Sequence, residues 1–153
     1  PQLSRQLADA VRKAGGKVHL GGTSVTIEGP RFSTRAESNI FRAWGMSIVG
    51  MTTAPEAFLA REAELCYAVM AHVTDYDVWH LAEAPVSVEM VLATSLANTR
   101  LAQDAVAELA GADLGERECA CPEALREAFL THRRAIPPET LARLRPIVGR
   151  YLD

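Results

Sequence analysis

No run of apolar residues in this sequence is long enough to cross a bilayer, and no signal peptide is visible at its start. A basic stripe is also missing. Sixteen Lys and Arg stand against nineteen Asp and Glu, for a net charge of −3, and the arginines are scattered. That leaves no electrostatic case for nucleic acid. Cysteine is scarce: Cys66, Cys119 and Cys121 are the three present. They fit a reducing compartment better than a disulfide scaffold, so the expected location is the cytoplasm. Cys119-Ala120-Cys121 could form a strained disulfide or bind metal, but it supplies two sulfurs with no second pair at zinc spacing. The expectation is a pair of free thiols in a loop and no metal, with the disulfide as the alternative. His19, His72, His80 and His132 show no metal spacing and no nucleophile partner. Repeats, low-complexity tracts and internal domain boundaries are absent. The first residue is Pro1 rather than Met, which predicts a processed, cleaved or partial chain.

What is present is a 153-residue chain, 48% hydrophobic and 23% charged. That is enough for one domain with a sizeable core. Leu3, Leu7, Ala10, Val11 and Ala14 recur at helical spacing, with Pro1 near the start and Gly15-Gly16 as the stop. Lys17–Leu20 and Thr23–Ile27 are short β-branched runs split by Gly21-Gly22, predicting two strands or a hairpin. Helices are predicted over Thr34–Trp44, Pro55–Leu65 and about Ser87–Ala110, then near Pro122–Arg134 and Pro138–Leu152. Ser47–Met51 reads as a strand, and Leu65–Val73 as a buried one. Strands alternating with helices give an α/β class.

Directly after the Leu65–Val73 run comes Thr74-Asp75-Tyr76-Asp77-Val78-Trp79. Two carboxylates at i and i+2, delivered from a strand end, can enter one pocket, and strand C-terminal ends are where open α/β sheets bind ligands. The plain alternative is a solvated acidic loop whose carboxylates cap the next element.

Three blocks read together point further: Glu28-Gly29-Pro30-Arg31-Phe32-Ser33-Thr34-Arg35-Ala36-Glu37, Gly50-Met51-Thr52-Thr53-Ala54-Pro55-Glu56, and Thr74-Asp75-Tyr76-Asp77. In order and spacing they resemble the nucleoside phosphorylase superfamily, and within it the C-terminal half of methylthioadenosine phosphorylases. The resemblance runs from about Val25 to Val91. It implies a mixed β-sheet flanked by helices, with residues 1–153 as the C-terminal part of one domain and complete subunits assembled as a homotrimer. It also implies a partner, the N-terminal half, as a second chain or cleaved fragment. That half supplies most of the phosphate-binding loop, and no Gly-rich turn opens a helix here to replace it.

The resemblance implies phosphorolysis of methylthioadenosine, with inorganic phosphate as co-substrate and no metal or organic cofactor. Asp75 would donate to purine N7, where negative charge develops as the base leaves. Asp77 would accept from the 6-amino group, so that the two acids divide into one proton donor and one acceptor. Phe32 would pack on the purine face, Met51 would lie under the ribose, and Thr52 would touch phosphate or the 3′-hydroxyl. Ser33 and Thr74 belong to the same substrate-contacting set. Val88 and Val91, one helical turn apart, would line an apolar pocket for the 5′-methylthio group. Ser33 and Asp75 stand where 6-oxopurine enzymes carry Glu and Asn, so adenine is favoured. Gly50 departs from the Asn of the nearest methylthioadenosine enzymes. The competing readings are a methylthioinosine or purine nucleoside phosphorylase, and a non-catalytic purine-binding module.

Overall fold

A computed structural model describes residues 2–80 and 87–152. The chain divides into two compact units, Pro1–Ala54 with Ala68–Glu116, and Pro55–Tyr67 with Arg117–Asp153.

The first unit is built on two helices in contact, α1 (Gln2–Lys13) and the long helix Val88–Ala110. Their interface is made of small side chains. Ala8, Ala10 and Val11 are buried on α1, and Ala105 is wholly buried on its partner. Pro1, expected at the head of α1, lies outside the described residues. Helix α1 stops at Gly15, whose φ of +86° suits glycine. The Gly15 N–H donates to the Arg12 carbonyl at 3.0 Å and the Gly16 N–H to that of Val11 at 2.8 Å, a Schellman closure. A Cβ at Gly16 would meet Val11 and Leu101 methyls at 2.6 and 2.7 Å, so glycine there permits the close approach of the long helix.

The runs Lys17–Leu20 and Thr23–Ile27 do not form the expected hairpin. Only Ser24–Thr26 is a strand, β1, and it pairs in parallel with β2 (Ile48–Gly50) in the register Ser24↔Ile48, Val25↔Val49, Thr26↔Gly50. The Ile27 N–H extends the ladder to the Gly50 carbonyl at 2.9 Å. Gly21 and Gly22, with φ of +91° and +97°, carry the chain away from the first run rather than folding it back. Parallel strands need a crossover, and α2 (Arg35–Ala43) lies in it. Thr34-x-x-Glu37 caps α2 at both ends of the box: the Glu37 N–H donates to Thr34 Oγ1 at 3.3 Å, and the Thr34 N–H to the Glu37 carboxylate at 2.8 Å. At its other end Gly45 (φ +78°) repeats the Schellman closure, its N–H donating to the Arg42 carbonyl and the Met46 N–H to that of Phe41, both at 2.9 Å.

Leu65–Val73, expected as a buried strand, pairs with no strand among the described residues. Leu65, Val69 and Val73 are all exposed. Apolar composition sets what a segment can bury, but a strand also requires a neighbouring backbone for its N–H and C=O groups. The observed arrangement is mostly helical with one small parallel sheet, rather than the larger mixed sheet expected.

The second unit contains most of α3 (Thr53–Glu62), and it ends in the last helix, Pro138–Leu152, which buries Val148 and Gly149. The helix expected near Pro122–Arg134 is replaced by short 3-10 turns at Cys121–Glu123 and Arg133–Ala135. One hydrogen bond explains much of this. The Leu125 N–H, which an α-helix would direct to the Cys121 carbonyl, donates instead to Glu64 Oε1 at 3.0 Å. Cys121 takes the tighter bond from Ala124 at 3.2 Å.

Glu64 organises this unit. It closes α3 by the same Schellman pattern, with Glu64 N–H to Arg61 at 3.1 Å and Leu65 N–H to Ala60 at 2.9 Å. Here, however, a glutamate takes the left-handed position, at φ +57°, where Gly15 and Gly45 stand in the other two helices. Its side chain, 10% exposed, meets Arg150 at 2.5 Å and accepts from the Tyr151 hydroxyl at 2.5 Å. Burial alone would raise this carboxyl; hydrogen bonds from Tyr151 and Leu125, with Arg150 beside it, outweigh burial and hold it below the usual carboxylate range. No helix among the described residues is long and apolar enough to cross a membrane.

Glu64→Gly and Glu64→Ala separate the backbone and side-chain roles of this residue. Both lose the carboxylate contacts, while only glycine relieves the left-handed strain. Urea midpoints should fall in the order parent, Gly, Ala; an Ala variant as stable as the parent would show that the contacts contribute nothing.

Candidate active site

All nine residues singled out as candidate site residues lie in the first unit. Strands β1 and β2 run parallel, so their C-terminal ends deliver Glu28–Ser33 and Met51–Thr52 to the same side of the sheet. There the two blocks touch. The position of a Cβ on Gly29 would come 2.9 Å from Met51 Sδ, so the bare glycine backbone makes room for the Met51 thioether. The Gly29–Pro30 peptide is cis.

The next residues are fixed by an ion pair. Arg31 grips Glu37 through two parallel hydrogen bonds of 2.8 and 2.7 Å, the fork geometry of a strong guanidinium–carboxylate pair. Arg31 also donates to the Phe32 carbonyl at 3.2 Å. The Arg31 hydrogen bonds, then those from the Thr34 N–H and hydroxyl, hold Glu37 down from its ordinary 4.5 to about 2, and the same pair raises Arg31. This clamp sets the loop so that the Phe32 side chain stands 83% exposed. Ser33 Oγ beside it is buried without a hydrogen-bond partner, a group with capacity left for a ligand. Met51 is half-buried, and Thr52 is exposed immediately ahead of α3.

The acid block leaves the Val73 carbonyl, which accepts from the Asn98 side chain at 3.2 Å. The helix carrying Asn98, α4 (Val88–Ala110), is thereby tied to the start of the loop. Thr74 Oγ1 donates to Asp75 Oδ2 at 2.6 Å, and the Val78 N–H donates to Asp77 Oδ1 at 2.8 Å. Asp75 is exposed and Asp77 half-buried. Ser87 caps α4 by accepting from the Met90 N–H at 3.2 Å. In its first turn Val88 is 70% exposed and Val91 half-buried.

An aromatic cluster joins α2 to the acid block, and the sequence reading assigned it no role. Tyr76 stacks on His80 with centroids 4.4 Å apart, and Trp79 meets both rings edge-on at 6.1 and 5.0 Å. The Arg42 guanidinium, from the last turn of α2, lies 3.7 Å from the Trp79 ring centroid, a cation–π contact. Tyr76, Trp79 and His80 at i, i+3 and i+4 were the available signal. The structure thus joins Gly29 to Met51 and α2 to the acid block, while Phe32, Asp75 and Val88 keep open faces.

A family model of the phosphorylase superfamily matches residues 1–111. The chain belongs to the phosphorylase superfamily. It is 48% identical over 150 residues to the S-methyl-5′-thioadenosine phosphorylase of Geobacter sulfurreducens, an alignment covering 98% of this chain and 52% of that protein. A methylthioadenosine phosphorylase from an Antarctic soil metagenomic library superposes with a TM-score of 0.85 at 37% identity, covering 96% of this chain and 53% of the other. A double mutant of the adenosine/methylthioadenosine phosphorylase of Schistosoma mansoni, solved with adenine, gives 0.68 at 37% identity, over 83% and 52% of the two chains. The chain therefore carries part of a nucleoside phosphorylase-like fold and spans about half the length of these relatives.

The Arg31–Glu37 clamp has a pH signature. Because the folded value lies below the unfolded one, its contribution is fully present above about pH 4.5 and is lost as pH falls toward 2. Urea midpoints at pH 6 and pH 3 should fall further for the parent than for Glu37→Gln; equal falls would mean that the clamp does not hold in solution.

Proposed function

We propose that this chain supplies the C-terminal half of an S-methyl-5′-thioadenosine phosphorylase, as part of one mixed-sheet domain completed by the N-terminal half. Complete subunits would form a homotrimer, and the cytoplasm is their proposed location. The observation that carries this reading is the placement of the candidate residues of all three blocks in one unit, with Gly29 against Met51 and Arg42 of α2 over Trp79 just beyond the acid pair. The level of identity to methylthioadenosine phosphorylases supports it.

In the proposed reaction an oxygen of inorganic phosphate bonds to C1′ of the thioribose as the bond from C1′ to N9 breaks. The electron pair leaves with adenine. Asp75 delivers its proton to N7, neutralising the charge where it develops. Asp77 accepts from the 6-amino group and so selects adenine over a 6-oxopurine, which offers no donor there. Phe32 covers the base, Ser33 Oγ and Thr74 supply polar contacts, and Met51 underlies the sugar. Thr52 contacts phosphate, whose remaining ligands come from the other half. Val88 and Val91 receive the methylthio group. An apolar pocket of this kind separates it from a 5′-hydroxyl by only about 1–3 kcal/mol, so adenosine is a slower substrate.

The test is adenine release from methylthioadenosine by this chain joined to its N-terminal half, with and without phosphate. Phosphate-dependent release is expected. Asp75→Ala should lower kcat on the order of 10²–10³-fold, and Asp77→Asn should depress turnover of methylthioadenosine far more than that of methylthioinosine. Release without phosphate would make the protein a hydrolase. Binding of adenine with no release would leave a purine-binding module.

A further inference from the structure

The second unit contains a group of side chains that the phosphorolysis reading does not use. Cys66, at the exit of α3, approaches the Cys-x-Cys pair from 53 residues away. Its Sγ lies 3.4 Å from that of Cys119, and the sulfurs of Cys66, Cys119 and Cys121 all fall within 4.8 Å of one another. All three are free and half-buried. The two sulfurs visible as a sequence pair are thus three in space, which overturns the ground on which a metal site was set aside. Sulfurs bound to one tetrahedral zinc at a bond length of ~2.3 Å stand ~3.8 Å apart, inside the observed spread.

We propose that Cys66, Cys119 and Cys121 form a three-thiolate site for a thiophilic d¹⁰ metal ion of the zinc(II) or copper(I) kind. The donor set decides the class: thiolates select soft ions, whereas calcium and magnesium require oxygen ligands. Three protein ligands leave a fourth position open. Cys121 also lines a depression of about 160 Å³ with Ala57, Arg61, Leu65, Tyr67 and Ala124. That volume exceeds what one water needs, so water or a small anion fits as the fourth ligand. A divalent ion with three thiolates carries a net charge of −1, and Arg61 in the wall of the depression opposes it.

The backbone on both sides of Cys66 and that following Cys121 is held in place without an ion. Glu64, two residues before Cys66, is fixed by Leu125, Tyr151 and Arg150, and its carbonyl accepts from Arg117 at 3.4 Å. On the other side of Cys66, the Tyr67 hydroxyl donates to Glu56 at 2.9 Å. Cys121 opens the 3-10 turn closed by Ala124, and the carbonyl of Pro122 accepts from Arg150. Arg150 therefore braces both approaches to the cluster. Such outer contacts are what orient ligands in a built metal site.

The test uses the fully reduced chain, joined to its N-terminal half or alone, and cadmium(II) as the spectroscopic probe. A thiolate-to-metal charge-transfer band should grow to saturation at one ion per chain and be reversed by a strong chelator. The bound ion should shield all three cysteines from alkylation, counted by mass spectrometry. Cys66→Ser should weaken binding at least about ten-fold. If that variant misfolds by circular dichroism, the alkylation count on the parent decides alone. No saturable band, protection confined to Cys119 and Cys121, or a disulfide within the trio that resists reductant would each overturn the proposal. None of these readouts depends on nucleoside turnover.

Discussion

Three residues of parallel strand, Ser24–Thr26 against Ile48–Gly50, fix the geometry of the candidate active site. The pairing places the ends of both strands side by side, and the Phe32 loop and the Met51 turn leave from those ends. A slip of one residue would reverse the faces of the slipped strand and take Met51 away from the open backbone of Gly29. Yet so short a pair is marginal in isolation. Backbone bonds beyond the strands extend it, from the Ile27 N–H to Gly50 and from the Ser47 and Ile48 N–H groups to the Thr23 carbonyl. Glu37 both caps α2 and grips Arg31, so one carboxylate joins the start of the helix to the loop that presents Phe32.

Helix ends were the most legible part of the fold. Gly15-Gly16 closes α1 where the sequence places its stop, and the helix expected over Thr34–Trp44 is found with Thr34 as its cap. Gly45 and the Thr34-x-x-Glu37 box are likewise local geometries that few other residues satisfy. What could not be read is whatever depends on distant backbone. Lys17–Leu20 and Leu65–Val73 are both suited to a strand, but neither has a neighbour among the described residues. The helix expected after Pro122 was lost to one tertiary hydrogen bond, from Leu125 to Glu64 across 61 positions. Glu64 itself stands where glycine closes the other two helices, so its left-handed backbone carries no local signal. The third thiol was hidden for the same reason: spacing along the chain finds Cys119 and Cys121, but Cys66 joins them only through the exit angle that Glu64 sets.

The acid block shows how far local chemistry and the family reading agree. Thr74 and the Val78 N–H occupy one oxygen each of Asp75 and Asp77, which is also what an ordinary acidic turn would do. The turn leaves the second oxygen of each carboxyl group for another partner. Position, more than hydrogen bonding, separates the two readings. Arg42 over Trp79 and Asn98 on Val73 brace the block from α2 and α4, two elements that also flank the Phe32 loop and carry Val88.

Two of the candidate site residues stand open to solvent. Phe32 and Val88 are 83% and 70% exposed, although large apolar side chains are ordinarily withdrawn from water. Scattered exposed residues need no explanation, but these two are presented by elements that are themselves firmly held, one by a bidentate ion pair and one by a serine cap. Rigid support for an uncovered apolar side chain favours a surface made to be covered. Ser33 Oγ, buried and unpaired next to Phe32, adds a polar group waiting for a partner in the same place. A flat base with polar edges satisfies both conditions at once, because its face covers the ring and its edge reaches the hydroxyl. An apolar protein surface would cover Phe32 but leave the serine unpaired at a cost of about 1–3 kcal/mol. The open aromatic face and the unsatisfied hydroxyl therefore lie side by side, which is the arrangement that the proposed base-contacting role of Phe32 and Ser33 requires.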